Sequence, residues 1–257
     1  MIPFVLLAAC DRGDVSFRPH APEQGSSTVP TKPTEPIQAT VDVDNGQTRQ
    51  ERKALIDMIA RREALSPRVL KAMREVPRHS FVPEAQKPYA YEDRPLGIGL
   101  GQTVSQPTVV AMMTDALDLR GNEVVLEIGT GSGYQAAVLS GLVRRVETIE
   151  IVESLALTAR SALQRLGYSN VRVHVGDGFA GIPELAPFDR IIITAAPLDV
   201  PRKLLEQLAV GGRMVVPVGP REGIQDLLVI ERLENGQLRE TNLGAVRFVP
   251  MVHKVGE

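Results

Sequence analysis

Apolar residues along this chain follow two different periods. Between residues 50 and 64, Leu55, Ile56, Met58 and Ile59 fall within one helical turn of each other, which predicts a compact amphipathic helix. A second helix is expected next. Ser66 suits the N-cap, Pro67 suits the first helical position, and Val69, Leu70, Met73 and Val76 recur at helical spacing until Pro77 stops them. From Asn122 the period shortens. β-Branched runs over 124–128, 146–150, 171–175, 190–194 and 213–218 alternate with helical stretches near 135–142, 153–166 and 201–208. That alternation is the signature of an α/β fold, a mostly parallel sheet covered on both faces. At the end, apolar runs over 227–232 and from Leu238 flank Asn235-Gly236, a hairpin signal, so an antiparallel pair is expected to close the sheet.

Residues 11–48 show no such period. They are rich in Pro, Thr, Ser, Gln and Gly and read as a disordered linker, dividing the chain into a segment 1–48 and a folded domain 49–257. Residues 2–9 are apolar and lead to Leu7-Ala8-Ala9-Cys10, which resembles the lipobox of bacterial lipoprotein signal peptides. The run is too short to span a bilayer and lacks a positively charged leader, so a truncated start is the competing reading. Composition adds exclusions. With 43% hydrophobic and 23% charged residues the 257-residue chain has the makings of a globular domain, and its formal net charge of -2 gives no global reason to expect nucleic acid or an anionic membrane as partner. One cysteine excludes an intramolecular disulfide, and four scattered histidines have no zinc spacing, so no metal is expected. His79 and His174 read as surface residues.

The chemistry concentrates where the first β-branched run opens into a helix through Glu127-Ile128-Gly129-Thr130-Gly131-Ser132-Gly133. Glycines in such a turn let ligand atoms approach the backbone closely. Position 134 is tyrosine, so the spacing is Gly-x-Gly-x-Gly and not the Gly-x-Gly-x-x-Gly of dinucleotide sites. The acidic Glu127 would repel a phosphate but suits a sulfonium cation carrying an amino-acid moiety. Glu150 ends the second run 21 residues after Gly129, the position from which a carboxylate accepts from both hydroxyls of a ribose. Asp177, within Gly176-Asp177-Gly178 after the third run, could accept from an adenine amino group or serve as a plain turn residue. Turn and carboxylates together point to S-adenosyl-L-methionine, with Glu127, Gly129, Gly131, Gly133, Glu150, Asp177 and Gly178 as its expected site.

Upstream lie Arg78-His79-Ser80-Phe81-Val82-Pro83, then Tyr89 and Tyr91, and then Leu96-Gly97-Ile98-Gly99-Leu100-Gly101-Gln102-Thr103-Val104-Ser105-Gln106-Pro107. These, with the glycine turn, Gly176-Asp177-Gly178, Phe188-Asp189 and Val246-Arg247-Phe248-Val249-Pro250, resemble the protein-L-isoaspartate O-methyltransferase family from about Arg52 to the end. The resemblance implies a Rossmann-like class I methyltransferase fold, doubly wound, with N-terminal helices. It also implies methyl transfer to the free α-carboxylate of L-isoaspartyl residues in damaged proteins and peptides, beginning their repair through a succinimide. Among the residues, it makes Ser105 the active-site serine, adds Thr103 to the cofactor site, and assigns ribose binding to Glu150 and a place near the adenine to Asp177.

The chemistry is consistent with what the sequence lacks. A carboxylate, with a pKa of about 4, is already ionised at neutral pH and needs no general base to be methylated. Ser105 would orient the acceptor by a hydrogen bond, and nothing offers it a Ser-His-Asp arrangement. It could also cap a helix beginning at Pro107. Tyr89 and Tyr91 fit either a peptide groove or a small satellite cluster, and the Val246-to-Pro250 segment reads as an edge strand ending at proline. Because the methyl donor is made in the cytosol, a cytoplasmic protein is expected, with lipid-anchored export through Cys10 as the alternative.

Overall fold

In the computed structural model, residues 44–253 are described; the linker reading over 11–48 lies outside them up to residue 43, as does the Leu7-to-Cys10 motif, and residues 46–48 of that reading are helical. The described chain opens with helix α1 (Gly46–Arg62), four residues earlier than its apolar period suggests, because the Asn45 side chain accepts from the Thr48 amide and fixes the first turn. Helix α2 (Pro67–Glu75) starts as its sequence predicts, with Ser66 capping the Arg68 amide and Pro67 inside the first turn.

A hairpin follows that the apolar pattern does not announce: strands β1 (Leu96–Gly99) and β2 (Gln102–Val104), joined by Leu100-Gly101. Helix α3 (Pro107–Ala116) leads to the main sheet. Its strands are β3 (Val124–Ile128), β4 (Arg145–Glu150), β5 (Val171–Val175), β6 (Phe188–Ile193), β7 (Leu208–Val218), β8 (Gln225–Arg232) and β9 (Leu238–Val246). Helices α4 (Tyr134–Ser140), α5 (Glu153–Arg165) and α6 (Arg202–Glu206) connect the parallel ones. Their order is β5-β4-β3-β6-β7-β8-β9, parallel from β5 to β7 and antiparallel at β8 and β9. Residues 233–237 join β8 to β9, with the Gly236 amide returning to the Leu233 carbonyl and Gly236 at φ 80°, a glycine-closed turn of the type that extends a hairpin.

Alternate residues of the central strands feed two cores. Val125, Val146, Ile192, Val215 and Val229 pack with apolar side chains of α1 to α5, while Leu126, Ile128, Ile191, Ile193 and Met214 pack with Ile182, Leu204 and Met251 on the opposite face. The carbonyls that end α3 are satisfied from the sheet: Arg190 donates to Leu117 O and Asp118 O, and Arg213 to Ala116 O. These arginines, on β6 and β7, hold the middle of the sheet against the helix that follows the Ser105 segment.

Candidate active site

The strand order reverses at β3, whose neighbours β4 and β6 diverge on either side, and open α/β sheets bind ligands at such a point beyond the carboxyl ends of the strands. An open cleft lies there. It is lined by Thr103 and Ser105 from the hairpin, Gly129 to Ser132 from the glycine turn, Ile149 to Val152 after β4, Gly178 after β5, Thr194 and Ala195 after β6, and Val249 to Val252 near the C-terminus.

Backbone geometry explains the glycines. Gly129, Gly131 and Gly133 have φ of 95°, 51° and 88°, a region in which L side chains are strained. A Cβ on Gly129 would meet Thr194 Oγ1 at 2.6 Å. That hydroxyl donates to Gly129 O at 2.7 Å, tying the turn to β6. Glu150 ties it to β4. The Glu150 carboxylate, 6% exposed, accepts from the Gly131 amide at 2.8 Å and from the Val152 amide at 3.0 Å, so two backbone donors fix its orientation at the cleft wall.

Three expected cofactor residues are placed elsewhere. Glu127 does not line the cleft. It is fully buried in β3, with the Thr148 hydroxyl beside it paired to Thr130 Oγ1 at 2.7 Å and neither carboxylate oxygen in a hydrogen bond of good geometry. Burial, helped by the charge of Glu150, pushes the Glu127 carboxyl up to about 8, so it is held as the neutral acid. Gly133 backs away from the cleft and lets helix α4 approach α5, since a Cβ there would meet Leu163 at 3.2 Å. Asp177 sits just behind Gly178: one oxygen accepts from the Phe179 amide at 2.9 Å and the other faces His253 Nδ1 at 2.9 Å. The His253 ring stacks on Phe179 with centroids 4.1 Å apart. Of the three acids expected to converge, only Glu150 forms cleft wall.

Ser105 is half-buried, and it is not the cap of α3. That helix is capped from a distance by Asp93, which accepts from the Thr108 amide at 2.9 Å, the Thr108 hydroxyl at 2.7 Å and Gln106 Nε2 at 3.1 Å. From the other side Arg78, 1% exposed, donates to the carbonyls of Ser105, Arg94 and Ala90 at 3.1, 3.1 and 2.6 Å and lies 5.7 Å from the Tyr134 ring. Burial lowers its pKa, and burial raises the Tyr134 hydroxyl to about 12.

Of the two histidines expected at the surface, His79 is buried, whereas the His174 side chain is 35% exposed. His79 is 4% exposed with Nδ1 at 2.6 Å from the Tyr91 hydroxyl, and His174 is half-buried with Nε2 at 2.6 Å from Glu147. Tyr91 joins this cluster, receiving a bond from Arg52 at 3.1 Å, while Tyr89 is exposed under the Arg94 guanidinium. The C-terminal segment does more than end an edge strand. Ala196 N donates to Val249 O and Met251 N to Ala196 O, both at 2.8 Å, so the chain returns across β6 and completes the cleft.

Residues 49–256 match the family model described as protein-L-isoaspartate(D-aspartate) O-methyltransferase. The chain belongs to that family. A Syntrophobacter fumaroxidans protein-L-isoaspartate O-methyltransferase 2 is 55% identical over 188 residues, 73% of this chain and 76% of the relative. A solved protein-L-isoaspartate O-methyltransferase superposes with a TM-score of 0.73 at 30% identity, covering 80% of this chain and 67% of the other. A Plasmodium falciparum relative, solved in complex with S-adenosyl-L-homocysteine, shares the fold with a TM-score of 0.69 at 24% identity over 78% of this chain and 98% of its own. The protein is a methyltransferase that uses S-adenosyl-L-methionine and acts in the repair of isoaspartyl residues. Its cleft fits that donor: glycine backbone open at the turn, a carboxylate fixed at the end of β4, and apolar walls from Ile149, Ile151 and Met251.

Proposed function

We propose that Glu150 and the glycine turn hold the methyl donor while Ser105 orients the free α-carboxylate of an L-isoaspartyl residue in a damaged protein or peptide. The observation that carries this reading is the make-up of the cleft. Among the described residues, Glu150 is its only ionisable acid or base besides the buried Tyr134, and backbone amides already engage both Glu150 oxygens. When bound, S-adenosyl-L-methionine supplies a methyl group activated by the sulfonium it sits on. The acceptor carboxylate is ionised at neutral pH, so the protein has no proton to remove and its task is alignment. The Ser105 hydroxyl makes no hydrogen bond among the described residues, and its backbone is held by Arg78, which leaves the hydroxyl available to donate to a carboxylate. No histidine lines the cleft, so Ser105 is not set up as a nucleophile. Thr103 and Gly178 would contact the donor from the two sides of the same cleft, and Asp177 would act from behind Gly178.

The substitution Ser105→Ala tests the assignment. Calorimetry with S-adenosylhomocysteine should give an unchanged dissociation constant, while turnover of an isoaspartyl peptide falls by more than tenfold, as expected for one lost charge-assisted hydrogen bond. Unchanged turnover would remove Ser105 from acceptor binding. We place the protein in the cytoplasm, where the donor is made; no described helix is long and apolar enough to cross a membrane. Mass spectrometry of the native N-terminus separates this from anchorage through Cys10.

A further inference from the structure

The tip of the β1–β2 hairpin is built against the preference of its residue. Register closes Gly99 opposite Gln102, so Leu100 and Gly101 form the two-residue turn, with φ of 53° and 72°. Such a turn favours Asn, Asp or Gly, because a left-handed conformation strains an ordinary L side chain. Leu100 accepts that strain and gains no burial, being 66% exposed. A large apolar side chain held in an unfavourable conformation and facing water has no part in stabilising the fold, and strain of this kind concentrates at functional positions. The hairpin is also the element that carries Thr103 and Ser105 into the cleft, and its Ile98 side chain lies beside the Gly131 backbone.

Leu100 is not alone on this edge. Val175 ends β5, Leu198 follows β6, Ile224 precedes β8, and Val252 lines the cleft mouth; they are 47%, 56%, 67% and 44% exposed. All four belong to the edge of the sheet where the parallel strands end. The Gly219 amide bonds Pro197 O at 3.1 Å, and the Phe248 amide bonds the Gln225 side chain at 2.8 Å, which joins the Leu198, Ile224 and C-terminal segments at this edge. Leu100 and Ile224 are the two most exposed large hydrophobic residues of the described chain. Exposed apolar side chains spaced along the sheet edge that carries the cleft, with Val252 in its lining, mark a contact surface.

We infer that this apolar rim, with Leu100 at its lead, binds the polypeptide on either side of the isoaspartyl residue and prefers apolar flanking side chains. The inference rests on the acceptor entering the cleft beside Ser105. A residue within a chain can reach that cleft only if the chain continues outward across the rim in both directions, so the rim is continuous with the acceptor site.

The test uses the full chain, with two isoaspartyl peptides of equal length and charge, one flanked by Val and Leu, the other by Ser and Gly. The parent should show the lower KM with the apolar peptide. Leu100→Asn places at the turn a residue that tolerates its φ. It should raise the KM for the apolar peptide by roughly fivefold or more, leave the polar peptide and the S-adenosylhomocysteine dissociation constant unchanged, and keep or raise Tm. Ile224→Ser should act in the same direction. If the parent methylates both peptides with equal KM, or if Leu100→Asn lowers Tm and leaves KM alone, the rim is not a docking surface. If the parent methylates neither peptide, the acceptor assignment itself fails, a different outcome.

Discussion

Arg78 donates through Nη2 to the carbonyl of Ser105 at 3.1 Å, although 27 residues separate them in the chain. The same guanidinium holds Ala90 and Arg94 carbonyls, and between those two residues stands Asp93, which caps α3 immediately beyond Ser105. Ser105 is therefore held at its carbonyl by Arg78, and the loop 90–94 that Arg78 also holds fixes the helix start just after it through Asp93. Removing the cap with Asp93→Ala should cost about 1 to 2 kcal/mol, read from urea denaturation. Turnover should fall further than stability explains, with S-adenosylhomocysteine affinity intact. A loss of cofactor affinity equal to the loss of turnover would show that the loop supports the whole cleft and not the serine.

Glu127 gives a pH dependence whose sign is fixed by its burial. Its carboxyl is raised from 4.5 to about 8. Below about pH 4.5 both folded and unfolded states keep the proton and there is no penalty. As the pH climbs to about 8 the unfolded state ionises while the folded state does not, and stability falls by up to about 5 kcal/mol before levelling. Glu127→Gln, neutral throughout, should therefore melt higher than the parent near pH 8, with the difference vanishing near pH 4. A difference independent of pH would mean that the carboxyl is ionised in the folded protein.

Glu150 has two jobs in the structure, and a substitution should report both. Glu150→Ala removes the acceptor for the Gly131 and Val152 amides as well as the carboxylate at the cleft wall. Calorimetry should show S-adenosylhomocysteine binding weakened by roughly 1 to 3 kcal/mol. Glu150→Gln, which keeps one oxygen acceptor, should recover part of the loss. An unaltered dissociation constant in the alanine variant would remove Glu150 from the donor site.

Gly178 tests the close packing under the cleft. A Cβ there would lie 2.4 Å from Ile128 Cγ2, at the end of the central strand. Gly178→Ala should lower Tm by several degrees through overpacking, about 1 to 3 kcal/mol, and Gly178→Ala combined with Ile128→Val should recover part of it. Full stability in the single variant would show that the strand end shifts freely.

What could be read from the sequence follows from how local its physics is. Strands β3 and β5 are legible to the residue because β-branched residues open and close each of them between polar or glycine positions. Strand β7 starts at Leu208, five residues before its apolar run from Arg213, because Leu208 already pairs with Phe188 ahead of an irregularity that takes in Gly211-Gly212, and pairing resumes at Arg213. The β1–β2 hairpin stayed hidden, since Gly97, Gly99 and Gly101 carry no strand preference and only the left-handed turn makes them pair. In the site, spacing alone located Gly129, Gly131 and Glu150 on the cleft wall. Charge pattern misled at Glu127, where strand alternation turns the side chain into the protein interior. Asp93, Arg78, Thr194 and the Val249-to-Val252 return owe their place to tertiary pairings that no short motif encodes.

Methylation of an isoaspartyl carboxylate is tested most directly by transfer of labelled methyl from S-adenosyl-L-methionine to a matched pair of peptides differing only in an isoaspartyl or aspartyl linkage. Label should enter the isoaspartyl peptide and leave its twin bare. Equal labelling of both, or of neither, would contradict it.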